Sequence, residues 1–333
     1  MNRVLKAGVI GLGSFGKNHC RVFADMPNVE LAAVCDKNKE LFASVRKNGA
    51  REYTDHKEML QKERLDLVSL VVPTKLHHQI ALDVLNASVN LLVEKPIAST
   101  IEEAREIIAC ARANKVKLTV GHIERFNPAI IELKRRIKAG ELGKVYRVIV
   151  SRLGPFPERI RDVGVVIDLA VHDLDILRYL TDSEVDYLYA RTEKRIHTAH
   201  EDIMSAIVTL KNKTICTLNI DWLTPAKIRL LRIVGEKGMF VADYLTQELF
   251  FHENGSAIDI KFDYADIMRG ISVGRKVSFD IQRVEPLQAE LSHFVDCVMN
   301  DKEPLVSGED GLKALELAMD LINSSNTNQI IRK

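Results

Sequence analysis

A carboxylate and an imidazole four residues apart, Asp168 and His172, have the residue types and the spacing of an acid–base pair. Apolar residues around them recur at helical intervals, so both side chains, with Asp175 one turn further, are expected on one helix face. A carboxylate beside an imidazole can orient the ring and raise its basicity, which suits a general base near neutral pH. The alternative is a solvated Asp–His pair that has no catalytic role.

A lysine in the tripeptide Glu94-Lys95-Pro96 directly follows an apolar strand. Doubly wound parallel sheets bind ligands at the carboxyl ends of their strands. A lysine there can orient a substrate hydroxyl and stabilise a developing alkoxide. An ordinary surface lysine before a helix is the alternative.

Pro73, Thr74 and His77 follow a neighbouring strand and are expected at the same sheet edge, near a bound nicotinamide. Thr74 is also placed to cap the next helix.

Three glycines mark a dinucleotide-binding turn. The segment Gly11-Leu-Gly13-Ser14-Phe15-Gly16 lies between an apolar strand and a helix. Its glycines permit a tight turn, close approach of a pyrophosphate and close helix packing, and the helix N-terminus faces the phosphates. Asp36 ends the second strand, where a carboxylate accepts hydrogen bonds from the ribose of NAD and repels the 2′-phosphate of NADP. The adjacent Lys37 could blunt that repulsion, but NAD is the expected cofactor.

The composition is that of an ordinary two-domain enzyme. The chain has 333 residues, 46% hydrophobic content and a formal net charge of +1, which gives no reason to expect a nucleic acid or a membrane as partner. The five cysteines are widely spaced, so buried free thiols are expected. The first strand begins almost at once and no apolar run reaches membrane-spanning length, so the expected location is cytoplasmic.

The first part of the chain alternates between strands and helices. Apolar strands are predicted at Lys6–Ile10, Glu30–Cys35, Leu67–Val72, Asn90–Val93 and Lys117–Val120, and helices at Leu76–Leu85 and Ile101–Ala113. Continuous apolar strands between amphipathic helices indicate a parallel sheet covered on both faces. Ser99 and Thr100 are expected to cap the second of these helices.

The pattern changes after Gly121. Long alternating strands are predicted at Val145–Leu153, Tyr187–Arg195, Ile203–Leu210, Thr214–Trp222 and Ile228–Val234, with helices at Pro128–Lys138, Val165–Leu180, Leu287–Met299 and Gly308–Ile322. Asn212-Lys213 and Glu236-Lys237-Gly238 are expected to form hairpin turns. The fold class is therefore α/β: a doubly wound parallel sheet plus an α+β domain with an open, mostly antiparallel sheet. The stretch Asp259–Ile281 gives no clear pattern.

The domains are placed at residues 1–122 and 123–333, with the C-terminal helices free to pack back on the first. One face of the second sheet is expected to expose Val, Ile, Leu and Trp side chains. Pairing of that face between copies predicts a homodimer or homotetramer. The residues His197, His200, Glu201 and Asp202 include metal-binding types, but they are expected in a polar connection, and no metal is predicted.

Five motifs in order resemble the Gfo/Idh/MocA oxidoreductases over nearly the whole chain. They are the glycine-rich turn, Pro73-Thr74-x-x-His77, Glu94-Lys95-Pro96, Gly121-His122-x-x-Arg125-Phe-Asn127-Pro and Asp168-x-x-x-His172. The resemblance implies a Rossmann domain and an α/β domain whose open sheet commonly forms the subunit contact. Two glycines often precede the last motif in the family, whereas here Gly164 is followed by Val165.

The resemblance also implies roles for the motif residues. Lys95 and His172 would act on a substrate hydroxyl, with Asp168 beside His172, and Glu94 would lie near the nicotinamide ribose. His122, Arg125 and Asn127 are assigned to the substrate site.

The segment from Ser151 to Gly164 is similar to the nucleotide-sugar branch of the family. Its arginines Arg152, Arg159 and Arg161 could hold a diphosphate, although loop charges or subunit contacts would also explain them. The leading hypothesis is an NAD-dependent dehydrogenase that oxidises a ring secondary alcohol of a UDP-amino sugar. A free sugar or inositol is the alternative substrate. The alternative of another class is a nucleotide-sensing regulator without catalysis, which would have no need for both Lys95 and His172.

Overall fold

The computed structural model describes residues 3–45, 49–157, 163–196, 199–255 and 273–333, which form two compact units. The first unit comprises Met1–Ile123 and Glu285–Glu316, and the second comprises Glu124–Val284 and Leu317–Lys333. The chain thus leaves the first unit after residue 123 and returns to it at Glu285. A single boundary at residue 122 does not describe this return.

Helices occur both before and after residue 123, where the chain first leaves the first unit. They are α1 (Gly16–Asp25), α2 (His56–Lys62), α3 (His77–Asn86), α4 (Ile101–Asn114), α5 (Pro128–Lys138), α6 (Val171–Thr181), α7 (Pro286–Met299) and α8 (Gly308–Thr327). Thr100 caps α4 through a capping box with Glu103, as predicted. Thr74 does not cap α3: it begins a short 3₁₀ turn, Thr74–Leu76, and its side chain makes no cap hydrogen bond.

The first unit is built on a six-stranded parallel sheet. Its strands are β1 (Leu5–Ile10), β2 (Val29–Cys35), β3 (Arg51–Tyr53), β4 (Leu67–Leu70), β5 (Asn90–Val93) and β6 (Leu118–Val120). The order β3-β2-β1-β4-β5-β6 confirms the doubly wound prediction. The order reverses between β1 and β4, and this switch point is where such sheets bind ligands. Strand β3 and helix α2 had no counterpart among the predicted elements.

Helix α7 explains why the chain returns to the first unit. Its side chains Leu287, Leu291, Phe294 and Val295 are buried in the core that also contains Phe23 of α1. Burying four such apolar side chains stabilises this docking by about 1.5–3 kcal/mol each.

The second unit contains a nine-stranded sheet. Its strands are β7 (Val145–Pro155), β8 (Val185–Glu193), β9 (Ile203–Leu210), β10 (Ile215–Asp221), β11 (Leu223–Gly235), β12 (Gly238–Asp243), β13 (Glu248–Asn254), β14 (Val273–Ser278) and β15 (Ile331–Arg332). The order is β14-β13-β12-β11-β7-β10-β9-β8-β15, and only the β7–β10 pairing among these strands is parallel. The mostly antiparallel sheet and both hairpin turns are confirmed. Residues 259–272 of the unassigned stretch lie outside the described residues, and the rest of it contains β14.

One face of this sheet packs on α5 and α6, and the other face carries both apolar and polar side chains. Trp222 was expected on the exposed face, but it is buried and packs edge-on against Phe156. Ile207 and Ile215 are about half exposed on the opposite face, where Ser205 and Asn219 also lie and bond to one another. Because this face is less apolar than expected, the homo-oligomer stays a prediction.

The cysteines are free thiols as expected from the sequence; four are buried, and Cys110 is partly exposed. Burial raises the pKa of Cys20 to about 12. Among the described residues, no helix is both long and apolar enough to cross a membrane.

Candidate active site

The glycine-rich turn has the backbone shape that a dinucleotide needs. Gly11 has a φ of +96°, and a Cβ there would lie 2.2 Å from the carbonyl oxygen of Val71. A Cβ at Gly16 would meet the carbonyl oxygen of Gly11, so α1 can begin this close to β1 only with glycine. Gly13 faces open space, and Ser14 and Phe15 are exposed beside it. The space at Gly13, next to the N-terminus of α1, fits a pyrophosphate.

Asp36 is fixed beside this turn. One of its carboxylate oxygens accepts the N–H of Leu12 at 2.7 Å, and the other accepts the N–H of Asn38 at 2.8 Å. Each oxygen keeps a lone pair that can accept a hydrogen bond from a ribose hydroxyl. Lys37 is exposed beside it. The residues of the first unit therefore fit NAD, and the contact of Asp36 with the adenosine ribose stays a prediction.

The loops after β4 and β5 are tied together by His77. Its Nδ1 lies 2.9 Å from the carbonyl oxygen of Pro96, and its Nε2 lies 2.9 Å from that of Val72. Burial lowers the pKa of His77, so the neutral ring donates to one of these carbonyls at a time. His77 thus links two loops of the switch-point edge, and Pro73 and Thr74 lie on the first of them.

Glu94 and Lys95 follow β5 at that edge. The Lys95 backbone N–H donates to Oε2 of Glu94 at 3.2 Å. The Glu94 side chain is almost buried, whereas Lys95 is partly exposed. Gly121 makes room for this carboxylate, because a Cβ at that position would lie 2.8 Å from Oε1 of Glu94. His122, the next residue, is fully buried.

The predicted catalytic helix begins with an irregular turn. Instead of one helix over Val165–Leu180, a π-helical turn (Val166–Ala170) precedes α6. The wider turn changes the angular spacing between Asp168 and the two residues on α6, His172 and Asp175, so a shared face for all three stays a prediction. Asp175 is buried, whereas Asp168 and His172 are partly exposed. Isolated π turns of this kind are frequent at functional sites.

Glu201, which the sequence analysis placed in a polar connection, supports the start of this turn. Its carbonyl oxygen accepts the N–H of Val165 at 2.9 Å, and Oε1 accepts the N–H of Val166 at 3.2 Å. Its carboxylate also occupies the space where a side chain at Gly164 would begin, since a Cβ there would lie 2.2 Å from Oε1. A glutamate one helix and one strand further along the chain gives no local pattern that would reveal this contact.

Two residues assigned to the substrate site have structural partners. The Arg125 guanidinium makes a bidentate ion pair with Asp175, at 2.7 Å from Nε and 2.5 Å from the terminal nitrogen. The Asn127 side chain caps α5 through the N–H of Ala129 and donates to the carbonyl oxygen of Tyr244. Both residues are almost fully buried. Their observed contacts position α5 and α6, and a substrate role for them stays a prediction.

The Arg152 side chain likewise has structural partners. Its guanidinium binds both oxygens of Asp173, at 2.6 and 3.0 Å, and Oε1 of Glu124 at 2.9 Å. Burial disfavours its charge, but Asp173 and Glu124 more than offset this and raise the pKa of Arg152. Two carboxylates around one buried guanidinium disfavour the predicted diphosphate contact at Arg152. Arg159 and Arg161 lie outside the described residues.

Arg229 is a second cation that the sequence analysis did not single out. It lies on β11 directly opposite Arg152 on β7. Its Nη1 donates to the carbonyl oxygens of Leu153 and Ile228, and its charge interacts with that of Asp168. Burial lowers the pKa of Arg229, but an arginine stays protonated at neutral pH. Arg229 therefore brings a positive charge toward the π-helical turn.

Comparison with known proteins identifies the class. A family model described as oxidoreductase, NAD-binding Rossmann fold, matches residues 5–122, and one for the C-terminal alpha/beta domain of that family matches residues 134–332. The chain is thus an NAD-dependent oxidoreductase acting on CH–OH groups. It belongs to the Gfo/Idh/MocA oxidoreductase family.

Two similar proteins illustrate the range within the family. UDP-N-acetylglucosamine 3-dehydrogenase of Acidithiobacillus ferrooxidans is 30% identical over 95% of this chain and 96% of its own. A solved structure of that enzyme, GnnA, covers 97% of this chain and 98% of its own with a TM-score of 0.85 and 26% identity. The scyllo-inositol 2-dehydrogenase (NAD(+)) of Bacillus subtilis is 26% identical over 97% of this chain and 95% of its own.

The position of Asp36 makes a testable prediction about cofactor choice. We expect NAD to bind about ten- to a hundredfold more tightly than NADP, because the 2′-phosphate would meet the Asp36 carboxylate. Asp36→Asn keeps an acceptor for Leu12 but removes the charge, so it should lose most of this preference. Asp25→Asn removes an exposed carboxylate from the end of α1 and should leave the preference unchanged. Calorimetric titration with both cofactors measures the ratio, and equal affinities in the unmodified protein would contradict the prediction.

Proposed function

We propose that this chain oxidises a ring secondary alcohol of a UDP-amino sugar, as its relative UDP-N-acetylglucosamine 3-dehydrogenase is named to do. The observation that carries the proposal is 30% identity to that enzyme across 95% of this chain. The Ser151–Gly164 segment, which resembles nucleotide-sugar enzymes, supports the same substrate class.

The motif residues each take one part of the proposed chemistry. Bound NAD would accept the hydride from the carbinol carbon. His172 takes the hydroxyl proton as the carbon–oxygen double bond forms, and Asp168 orients the ring and stabilises its positive charge. Lys95 donates to the same oxygen and stabilises its developing negative charge. The alcohol thus loses one hydride and one proton, and the product is a ketone.

Arg229 supports the diphosphate part of the proposal. Its known hydrogen bonds go to two backbone carbonyls, which neutralise no charge. The carboxylates of Asp173, Glu124 and Asp168 act on it electrostatically, and its remaining guanidinium N–H groups can bind a phosphate oxygen. We therefore assign the diphosphate to Arg229 together with Arg159 and Arg161.

A substrate panel tests the proposed function directly. Absorbance of NADH is followed with NAD and UDP-N-acetylglucosamine, other UDP-sugars, free hexoses, myo-inositol and scyllo-inositol. We expect the highest kcat/KM with a UDP-amino sugar. Faster turnover of an inositol than of every UDP-sugar would instead favour the free-polyol alternative, which the Bacillus subtilis relative represents.

Arginine substitutions test the diphosphate contact. Removing a charge-assisted hydrogen bond of about 1.5–3 kcal/mol should weaken UDP-sugar binding by about ten- to a hundredfold and leave NAD affinity unchanged. We expect this for Arg229→Ala, and for Arg159→Ala or Arg161→Ala. Arg232→Ala is the matched control, because residue 232 lies on the opposite face of β11. Wild-type affinity for UDP-sugar in all three test variants would refute the contact.

A further inference from the structure

Buried polar side chains from three elements of the first unit contact one another beside the dinucleotide turn. The Ser69 hydroxyl of β4 lies 2.7 Å from Nδ1 of His19 on α1. Nε2 of the same ring lies 3.4 Å from Oε1 of Glu94. His19 and Ser69 are fully buried, and Glu94 is 8% exposed. The contacts therefore run from β4 through α1 to the loop that follows β5.

His19 lies between the glycine-rich turn and the residue before Lys95. Its ring meets the ring of Phe15, which belongs to that turn, edge-on with 5.1 Å between the centroids. Beyond His19, Oε2 of Glu94 accepts the Lys95 N–H at 3.2 Å. The same carboxylate packs closely on Gly121, where a Cβ would lie 2.8 Å from Oε1. One imidazole thus connects the dinucleotide turn with the carboxylate that is bonded to Lys95.

The partners of the imidazole determine which of its nitrogens carries the proton. A carboxylate only accepts hydrogen bonds, whereas a hydroxyl can donate or accept. When the Ser69 hydroxyl donates to Nδ1, the proton of a neutral ring stays on Nε2, opposite Glu94. The other tautomer would place the Nε2 lone pair against the carboxylate. An imidazolium has protons on both nitrogens, so Nε2 is protonated in either charge state of the ring.

We propose that His19 is a positioning residue that donates from Nε2 to the Glu94 carboxylate and, through it, holds the backbone of Lys95 in place for hydride transfer. Ser69 keeps the ring in the required tautomer. The inference rests on the catalytic role proposed for Lys95, but it does not depend on which alcohol is the substrate.

The cost of burying His19 argues for a role beyond packing. The other buried residues of its helix are small or apolar: Gly16, Cys20, Val22 and Phe23. An apolar side chain at position 19 would fill the space without a polar atom to satisfy. Among the described residues, neither Nε2 of His19 nor Oε1 of Glu94 has an aligned hydrogen-bond partner, yet the 3.4 Å contact joins these two atoms. A shift of about 0.5 Å brings them within the range of a charge-assisted hydrogen bond.

Nitrogen NMR of the cofactor-free protein tests the position of the ring proton without any substrate. With both ring nitrogens of histidine labelled, the chemical shifts distinguish a protonated from an unprotonated nitrogen. The signals that His19→Gln removes, or that Ser69→Ala shifts, belong to His19. We expect a protonated Nε2 in the wild type at neutral pH. An unprotonated Nε2 would overturn the proposal.

Two amide substitutions separate the contact with Glu94 from the contact with Ser69. The Gln amide reaches the position of Nε2 and can donate to Glu94, whereas the shorter Asn amide reaches only the position of Nδ1. We expect His19→Asn to lower kcat by about ten- to a hundredfold, because Lys95 is then less well placed. His19→Gln should stay within about threefold of the wild type. NAD affinity should change by less than about twofold in both variants.

A second variant keeps His19 and removes the group that fixes its tautomer. Ser69→Ala should lower kcat by about three- to tenfold, because the ring proton is then free to move to Nδ1. This variant replaces His19→Asn if the latter does not fold. His56→Asn is the matched control, since His56 of the same unit pairs with Asp83 at 2.9 Å and should keep wild-type kcat when replaced.

The outcomes separate positioning from packing and from the role of Lys95. Equal losses of kcat in His19→Asn and His19→Gln would show that the site needs only the shape of the ring, and the proposal would be wrong. Wild-type kcat in His19→Asn would contradict it as well when Lys95→Ala abolishes turnover. If Lys95→Ala stays active, the catalytic role of Lys95 is wrong instead, and His19 keeps only the contact with Glu94 that the NMR signals report.

Discussion

Lys95→Ala and His172→Ala should each lower turnover by about 10²–10⁴-fold. Each variant removes a group assigned to the reacting hydroxyl: the donor that stabilises the alkoxide or the base that takes the proton. Because the loss occurs in the transition state, kcat and kcat/KM should fall together. NADH absorbance in the steady state and in a single turnover measures the effect.

NAD binding separates loss of chemistry from loss of the site. The dinucleotide turn and Asp36 remain intact in both variants, so NAD affinity should stay within about twofold of the wild type. His200→Ala is a matched control for His172, since this histidine of the same unit has no role in the proposed chemistry. Retention of more than about a tenth of wild-type turnover by either test variant would remove that residue from the mechanism.

The cofactor side of the site could be predicted from sequence because its determinants are local. Gly11, Gly13 and Gly16 are required by backbone geometry within a single turn, and Asp36 is placed by the length of one β-α-β unit. The capping box of α4 is equally local, since both of its partners lie within four residues. Patterns of this length are visible in a single sequence.

The second unit shows what a single sequence does not reveal. A π turn needs one extra residue between hydrogen-bond partners, and the apolar periodicity of 165–180 is compatible with an uninterrupted helix. The ion pair between Arg125 and Asp175 joins residues 50 positions apart, which no local pattern shows. Glu201 lies in the connection before β9 and Arg229 lies on β11, so only the folded chain brings them to the start of this helix.

Arg152→Ala should destabilise the protein by about 3–5 kcal/mol, because it leaves the Asp173 and Glu124 carboxylates without their shared cation. Asp173 is buried, and burial already raises its pKa even with Arg152 present. Without the arginine, the folded state should bind a proton that the unfolded state releases above about pH 4. The loss of stability should therefore grow as pH rises and be smallest near pH 4.

A paired substitution distinguishes an ion-pair role from ligand binding at Arg152. Arg152→Met combined with Asp173→Leu replaces the buried pair with apolar side chains, and it should recover part of the stability lost in Arg152→Ala. The recovery should be incomplete, because the partly exposed Glu124 still loses its ion-pair partner. Urea unfolding at pH 4, 6 and 8 measures each step. If Arg152→Ala instead unfolds like the wild type and binds UDP-sugar about ten- to a hundredfold more weakly, the diphosphate contact first predicted for Arg152 is correct and its ion pairs are secondary.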